Sequence, residues 1–193
     1  MLEGGALMCR DERLKNIFDL MRNFGIADEE SVLLPGINGK MNELQAAVGL
    51  IMLDYVKGES QKRAALQKVY VEELSGCAGV RLPPLLSSDV KPNHQYFVIR
   101  IERERFGHSR DEVYDALRRH NVFARKYFYP LCSNYEHYRR LPSAAPERLP
   151  IANRASEEVL SMPLYGELSA ADVRKICAIV KGTARLRLRR RDR

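Results

Sequence analysis

No stretch of this chain approaches the roughly 18 consecutive apolar residues that a membrane-spanning helix needs. The first residues also lack the basic-then-apolar order of a secretory leader. Both absences point to a soluble, cytoplasmic protein. Paired cysteines are missing as well: Cys9, Cys77, Cys132 and Cys177 lie far apart, without the close spacing of a zinc ribbon or a redox dithiol. Four free, buried thiols are expected instead. His94, His108, His120 and His137 include no pair at helical ligand spacing, so no metal site is expected. There is no internal repeat, and compositional bias is confined to the last residues.

What is present suffices for one core, since 193 residues with 45% apolar content can form a compact unit plus appendages. A net charge of +7 suggests an anionic partner until the charges are located. Residues 183–193 hold six arginines (185, 187, 189, 190, 191 and 193) and one aspartate, which leaves +2 for the rest. A nucleic-acid arm usually accompanies a basic face on the folded domain, and this body is nearly balanced, so nucleic acid is not the expected partner. Residues 183–193 are expected to be a disordered basic tail.

Residues 5–9 form a short apolar run suited to a strand, and Asp11-Glu12 then opens a helix carrying Leu14, Ile17, Phe18 and Met21 at three-and-four spacing. Asn23-Phe24-Gly25 ends it. Residues 26–40 mix acid, proline and glycine without a period and are read as an extended connection. From Asn42, which can cap the first amides, helical spacing continues to about residue 75. At 1.5 Å per residue such a helix is on the order of 50 Å long and must bridge two parts of a molecule.

Residues 79–84 read as a short strand and 96–101 as a central one, rich in β-branched and aromatic residues. Ser109 followed by Glu112 is a capping box for a helix through His120. Residues 122–127 return as a strand, 130–150 form a loop, and helices cover about 151–160 and 170–181, the second capped by Ser169. Leu160 to Leu164 is an apolar segment expected to pack under the sheet. Alternating strands and helices imply an α/β layer with a small sheet.

Six segments carry a further signal: Glu3-Gly4-Gly5-Ala6, Arg22-Asn23-Phe24-Gly25-Ile26, Gly36 to Gly49, His94-Gln95-Tyr96-Phe97-Val98, Tyr127-Phe128-Tyr129-Pro130-Leu131 and Leu160-Ser161-Met162-Pro163-Leu164. In this order they resemble the DegT/DnrJ/EryC1/StrS family of pyridoxal-phosphate sugar aminotransferases of fold type I. The wording around Asn38-Gly39-Lys40-Met41 is most similar to enzymes that aminate dTDP-4-keto-6-deoxyhexoses. The resemblance implies an α/β fold comprising the C-terminal part of such an enzyme. Residues 1–41 would be a remnant of the large cofactor-binding domain with its intersubunit loop, 42–75 the bridging helix, 76–182 the small C-terminal domain and 183–193 the tail.

The resemblance also implies roles. Asn38 would cross a dimer interface to hydrogen-bond the phosphate of the neighbouring subunit's pyridoxal phosphate, where on the residues alone it could equally satisfy a local turn. Lys40 would meet a phosphate or the substrate diphosphate, or be a solvated surface lysine. His94 and Tyr127 would line the sugar pocket, or respectively cap a strand and fill the core. Cys132 stands where relatives frequently carry histidine. The family places its cofactor-holding lysine shortly before the position of Glu3, and Lys15, Lys40, Lys57 and Lys62 do not follow its pattern. No catalytic residue is therefore assigned here. The chain is expected to be inactive alone: it is either a truncated family member, partnered by a homodimer subunit or by a chain supplying the missing N-terminal half, with a nucleotide-linked keto sugar and glutamate as the family's substrates, or a non-catalytic dimerisation and interaction module.

Overall fold

The computed structural model describes residues 4–84, 86–87 and 89–185, and the chain divides into two compact units, residues 1–57 and 58–193. Glu3, Met1 and most of the arginine-rich stretch, residues 186–193, lie outside the described residues.

In the first unit, helix α1 (Glu12–Arg22) starts where Asp11 accepts a hydrogen bond from the Arg13 amide and stops at Asn23. Phe24 and Gly25 then turn the chain with φ of 60° and 80°. Helix α2 (Glu43–Leu74) opens as expected on Asn42, whose Oδ1 accepts from the Gln45 amide while Gln45 Oε1 accepts from the Asn42 amide. Its 32 residues form one uninterrupted helix, and the unit boundary falls inside it, at Lys57 and Gly58. Leu44, Leu50, Ile51, Leu53 and Tyr55 on its first half are all exposed.

Residues 4–9 are not the expected strand. A strand needs a neighbour for its backbone hydrogen bonds, and none pairs with it among the described residues. Leu7 and Met8 stand almost fully exposed.

The second unit is built on a three-stranded antiparallel sheet in the order β1 (Val80–Arg81), β2 (Phe97–Ile101), β3 (Val159–Met162). The central position of β2 follows from its sequence, since Phe97, Ile99 and Ile101 alternate inward and are buried. Helices α3 (Arg103–Phe106), α4 (Arg110–Arg119), α5 (Pro150–Glu158) and α6 (Ala170–Arg185) surround it. Leu66, Tyr70 and Leu74 of α2 close the core against Phe97, Leu117, Leu160, Val173 and Val180. Tyr70 stacks on Phe97 at 4.9 Å and donates its hydroxyl to the Pro163 carbonyl at 2.9 Å, so a buried phenol stays satisfied.

Three further readings of the sequence are corrected here. Residues 160–164 do not pack under the sheet, because Leu160, Ser161 and Met162 are part of its third strand. Residues 122–127 are not a strand: after Asn121 (φ 58°) only Arg125 pairs, with Ser161, and the chain then turns toward Pro130. The tail does not begin at residue 183, for α6 continues to Arg185, with Thr183 buried and bonded to the Ile179 carbonyl. The four cysteines are free, yet only Cys177 is buried; Cys9 and Cys132 are exposed and Cys77 half-buried. Among the described residues no cluster could hold a metal ion, and no helix is long and apolar enough to cross a membrane.

Candidate functional site

The first candidate site residues lie on the loop that precedes α2. A helix ends with unpaired carbonyls, and here the loop supplies the donors: the Ile37 amide reaches Met21 O at 2.8 Å and the Gly39 amide reaches Arg22 O at 2.8 Å. The Phe24 amide returns a bond to Ile37 O at 3.1 Å. Residues 37–39 are thus held extended against the end of α1. Gly36 permits it, because a Cβ there would stand 2.5 Å from the Phe24 carbonyl carbon and 2.7 Å from Met21 O.

On this rigid segment the Asn38 side chain is exposed and makes no hydrogen bond with a described residue. Its amide is not consumed by a local turn. Lys40 is exposed as well, and its Nζ donates to Asn23 Oδ1 at 3.0 Å and lies 4.5 Å from the centre of the Phe24 ring. A held backbone carrying a free amide donor is a donor set that fits a phosphate oxygen, so these residues are compatible with the phosphate end of pyridoxal phosphate.

His94 and Tyr127 lie in the second unit. Gln67 Nε2 donates to the Tyr96 carbonyl at 3.0 Å, which orients the amide so that its Oε1 faces His94 Nδ1 at 2.8 Å. Because that oxygen can only accept, Nδ1 is the donor of this bond. His94, at φ 50°, therefore does not cap β2; it is fastened to α2. Tyr96, two residues on, meets Tyr127 edge to face at 5.6 Å. Tyr127 is half-buried and outside the core, stacked on Phe128 at 4.7 Å. The structure thus brings the His94 and Tyr127 segments together through Tyr96.

Several residues around them escaped the reading of the sequence. Arg110, 2% exposed, donates through Nη1 to the Ser156 and Val159 carbonyls, pairs with Asp111 at 2.8 Å and lies 5.2 Å from the Tyr129 ring. Asp111 also holds Lys126, and its carboxyl is lowered below its usual pKa by Lys126 and Arg110, against the opposing effect of burial. A cleft of about 440 Å³ opens beside them, lined by Tyr114, Arg118, Phe123, Arg125 and Tyr127 among others. The sequence held a signal for it, the interleaving of aromatic and basic residues from Tyr114 to Tyr129.

Comparison with known proteins places this geometry. The model of the DegT/DnrJ/EryC1/StrS aminotransferase family matches residues 1–181. The chain belongs to that family. It is 42% identical over 180 residues to a dTDP-4-amino-4,6-dideoxy-D-glucose transaminase of Escherichia coli, covering 93% of this chain and 48% of that protein. A transaminase of the same name from Shigella dysenteriae is 31% identical, with the same coverage of each. Among solved structures, DesI in the presence of its TDP-sugar product superimposes with a TM-score of 0.80 and 30% identity, over 94% of this chain and 46% of that one. Streptomyces venezuelae DesV in complex with a ketimine intermediate gives 0.77 and 27%, over 90% and 45%. The chain spans about half the length of the curated relatives it matches. Its α/β fold is that of a segment of these pyridoxal-phosphate aminotransferases.

Proposed function

We propose that this aminotransferase-family chain supplies the C-terminal half of a pyridoxal-phosphate enzyme that aminates a nucleotide-linked keto sugar, of the dTDP-4-keto-6-deoxyhexose class, with glutamate as amino donor. The single observation that carries the reading is the free Asn38 amide on a loop whose backbone is bonded to the end of α1. Pyridoxal phosphate, when bound, supplies the electron sink that transamination requires. Asn38 would hold its phosphate from across a dimer interface, while Lys40 adds positive charge on the same loop. His94 and Tyr127 would orient the hexose through its hydroxyls.

The amine that binds the cofactor covalently would come from outside this segment. Exposed Leu44, Leu50, Ile51, Leu53 and Tyr55 support a partner as well, for a run of apolar side chains of this size calls for a covering surface. That partner is a homodimer subunit or a chain carrying the N-terminal half, in the cytoplasm.

Two experiments test the reading. Pyridoxal phosphate added to the purified chain and treated with borohydride should leave no stoichiometric lysine adduct; one adduct at one lysine would overturn the claim that the amine comes from elsewhere. Co-expression with the N-terminal half of the 42%-identical Escherichia coli relative should restore transamination of a dTDP-4-keto-6-deoxyhexose, and Asn38→Ala in that assembly should weaken cofactor retention. No activity from a soluble, assembled pair would sink the functional reading.

A further inference from the structure

Asn38 is followed by Gly39, and of the eight asparagines in this chain no other precedes a glycine. Asparagine is a thermolabile residue, because its side-chain carbonyl carbon lies within reach of the next backbone nitrogen. A side chain on the following residue hinders the ring closure between them. Gly39 has none. The Asn38 side chain is also exposed and makes no hydrogen bond with a described residue, so nothing withholds its carbonyl carbon from attack.

What restrains the reaction is the backbone. Asn38 pairs with Asn23 in an antiparallel bridge, flanked by the Gly39 amide on Arg22 O at 2.8 Å and the Phe24 amide on Ile37 O at 3.1 Å. The nucleophile would be the Gly39 nitrogen, the same atom whose hydrogen the Arg22 carbonyl holds. Ring closure also requires the backbone to leave the extended form that the bridge imposes. Two close approaches keep the loop seated: a Cβ on Gly36 would strike the Gly25 nitrogen, and one on Gly25 would strike the Leu34 carbonyl oxygen. Reaction therefore waits on local opening of the loop.

We propose that Asn38-Gly39 is a self-modification site, locked while its loop is seated on α1. When the loop lifts, the Gly39 nitrogen bonds to Asn38 Cγ, the Cγ–Nδ2 bond breaks, and Nδ2 leaves as ammonia with the proton that the Gly39 nitrogen gives up. Water then opens the cyclic imide at either carbonyl, giving aspartate or isoaspartate with no change of oxidation state. A carboxylate now stands where the amide stood. On the functional reading above, a donor to the cofactor phosphate becomes an anion that repels it, so the site records how long the loop has been unseated.

Mass-spectrometric peptide mapping of the purified full chain, held in mildly alkaline buffer and sampled over days, tests this. Folded wild type should modify Asn38 about tenfold or more slower than the same chain in urea, where Asn38 should outpace the other seven asparagines and yield both products. Gly36→Ala and Gly25→Ala, folded by circular dichroism, should each accelerate the folded rate by about fivefold or more. Gly39→Ala should slow the reaction in urea. Sub-denaturing urea repeats the test without a substitution, since the Asn38 rate should rise in proportion to hydrogen exchange at the Gly39 amide. Equal rates folded and in urea, unchanged rates in both folded glycine variants, or a rate indifferent to Gly39 exchange would each overturn the lock, and Gly39→Ala reacting in urea as fast as wild type would overturn the chemistry. In the co-expressed assembly, Asn38→Asp should retain less pyridoxal phosphate than Asn38→Ala. Retention equal to wild type would remove the phosphate role of the functional reading and leave the lock standing.

Discussion

Gly36 and Gly25 lie backbone against backbone, so close that a methyl group on Gly36 would meet the Gly25 amide nitrogen. This contact seats the loop carrying Asn38 against the end of α1. Gly36→Ala should therefore destabilise the loop by about 1–3 kcal/mol, the usual cost of forcing volume into a packed site. Gly39→Ala is the internal control, since its nearest neighbours would stand at 3.6 Å. Limited proteolysis across residues 26–40 should show faster cleavage for the first variant alone.

Arg110 offers a second test. Its removal would leave the Ser156 and Val159 carbonyls without the donor they share and would release Asp111. Arg110→Ala should lower stability by about 2–3 kcal/mol, read from the urea midpoint at unchanged slope. Arg110→Lys should recover little, because one ammonium cannot reproduce a planar fork.

The acid limb of stability should report the N-terminus of α4. Bonds from the Ser109 amide, His108 and the Ser109 hydroxyl bring the Glu112 carboxyl down from 4.5 to about 2. A depressed acid stabilises the fold above its unfolded pKa, and that contribution is lost as pH falls through the folded value. The window is therefore pH 4.5 down to about 2. Glu112 is half exposed, which limits the effect to about 1 kcal/mol or less. Glu112→Gln should flatten the urea midpoint across that window; an unchanged pH slope would show that the box contributes nothing.

Thiol chemistry should separate the four cysteines. Burial pushes the Cys177 thiol up to about 12, and it is fully enclosed. Burial also raises Cys77, to a smaller extent of enclosure, while Cys9 and Cys132 are exposed. A thiol reagent at pH 8 should label Cys9 and Cys132 first, Cys77 slowly and Cys177 only after denaturation.

Local signals made most helices legible in the sequence. Asp11, Asn42, Ser109 and Ser169 each sit where a helix begins, because capping acts over two or three residues and needs no tertiary information. Strands were less readable. Phe97 to Ile101 declared itself by alternation, but residues 122–127 have similar composition and fail to pair beyond Arg125, and residues 159–162 pair despite their shortness. Pairing depends on which backbone comes alongside, a matter settled by the whole fold. The candidate sites divide in the same way. Asn38 and Tyr127 announced themselves through local wording, whereas Gln67 and Arg110 act on residues 27 and 46–49 positions away and left no local trace.

The third strand has one more consequence. Along β3 the groups facing away from β2 belong to Val159 and Ser161, and every one is engaged: the Val159 amide with Ala155 O, its carbonyl with Arg110, and both groups of Ser161 with Arg125. No ladder position is left open there for a foreign strand, and at the opposite margin β1 offers only two residues. A sheet with one margin engaged and the other this short resists the edge-to-edge growth that leads to aggregates. Arg110 and Arg125 thus protect this margin of the sheet as well as its shape.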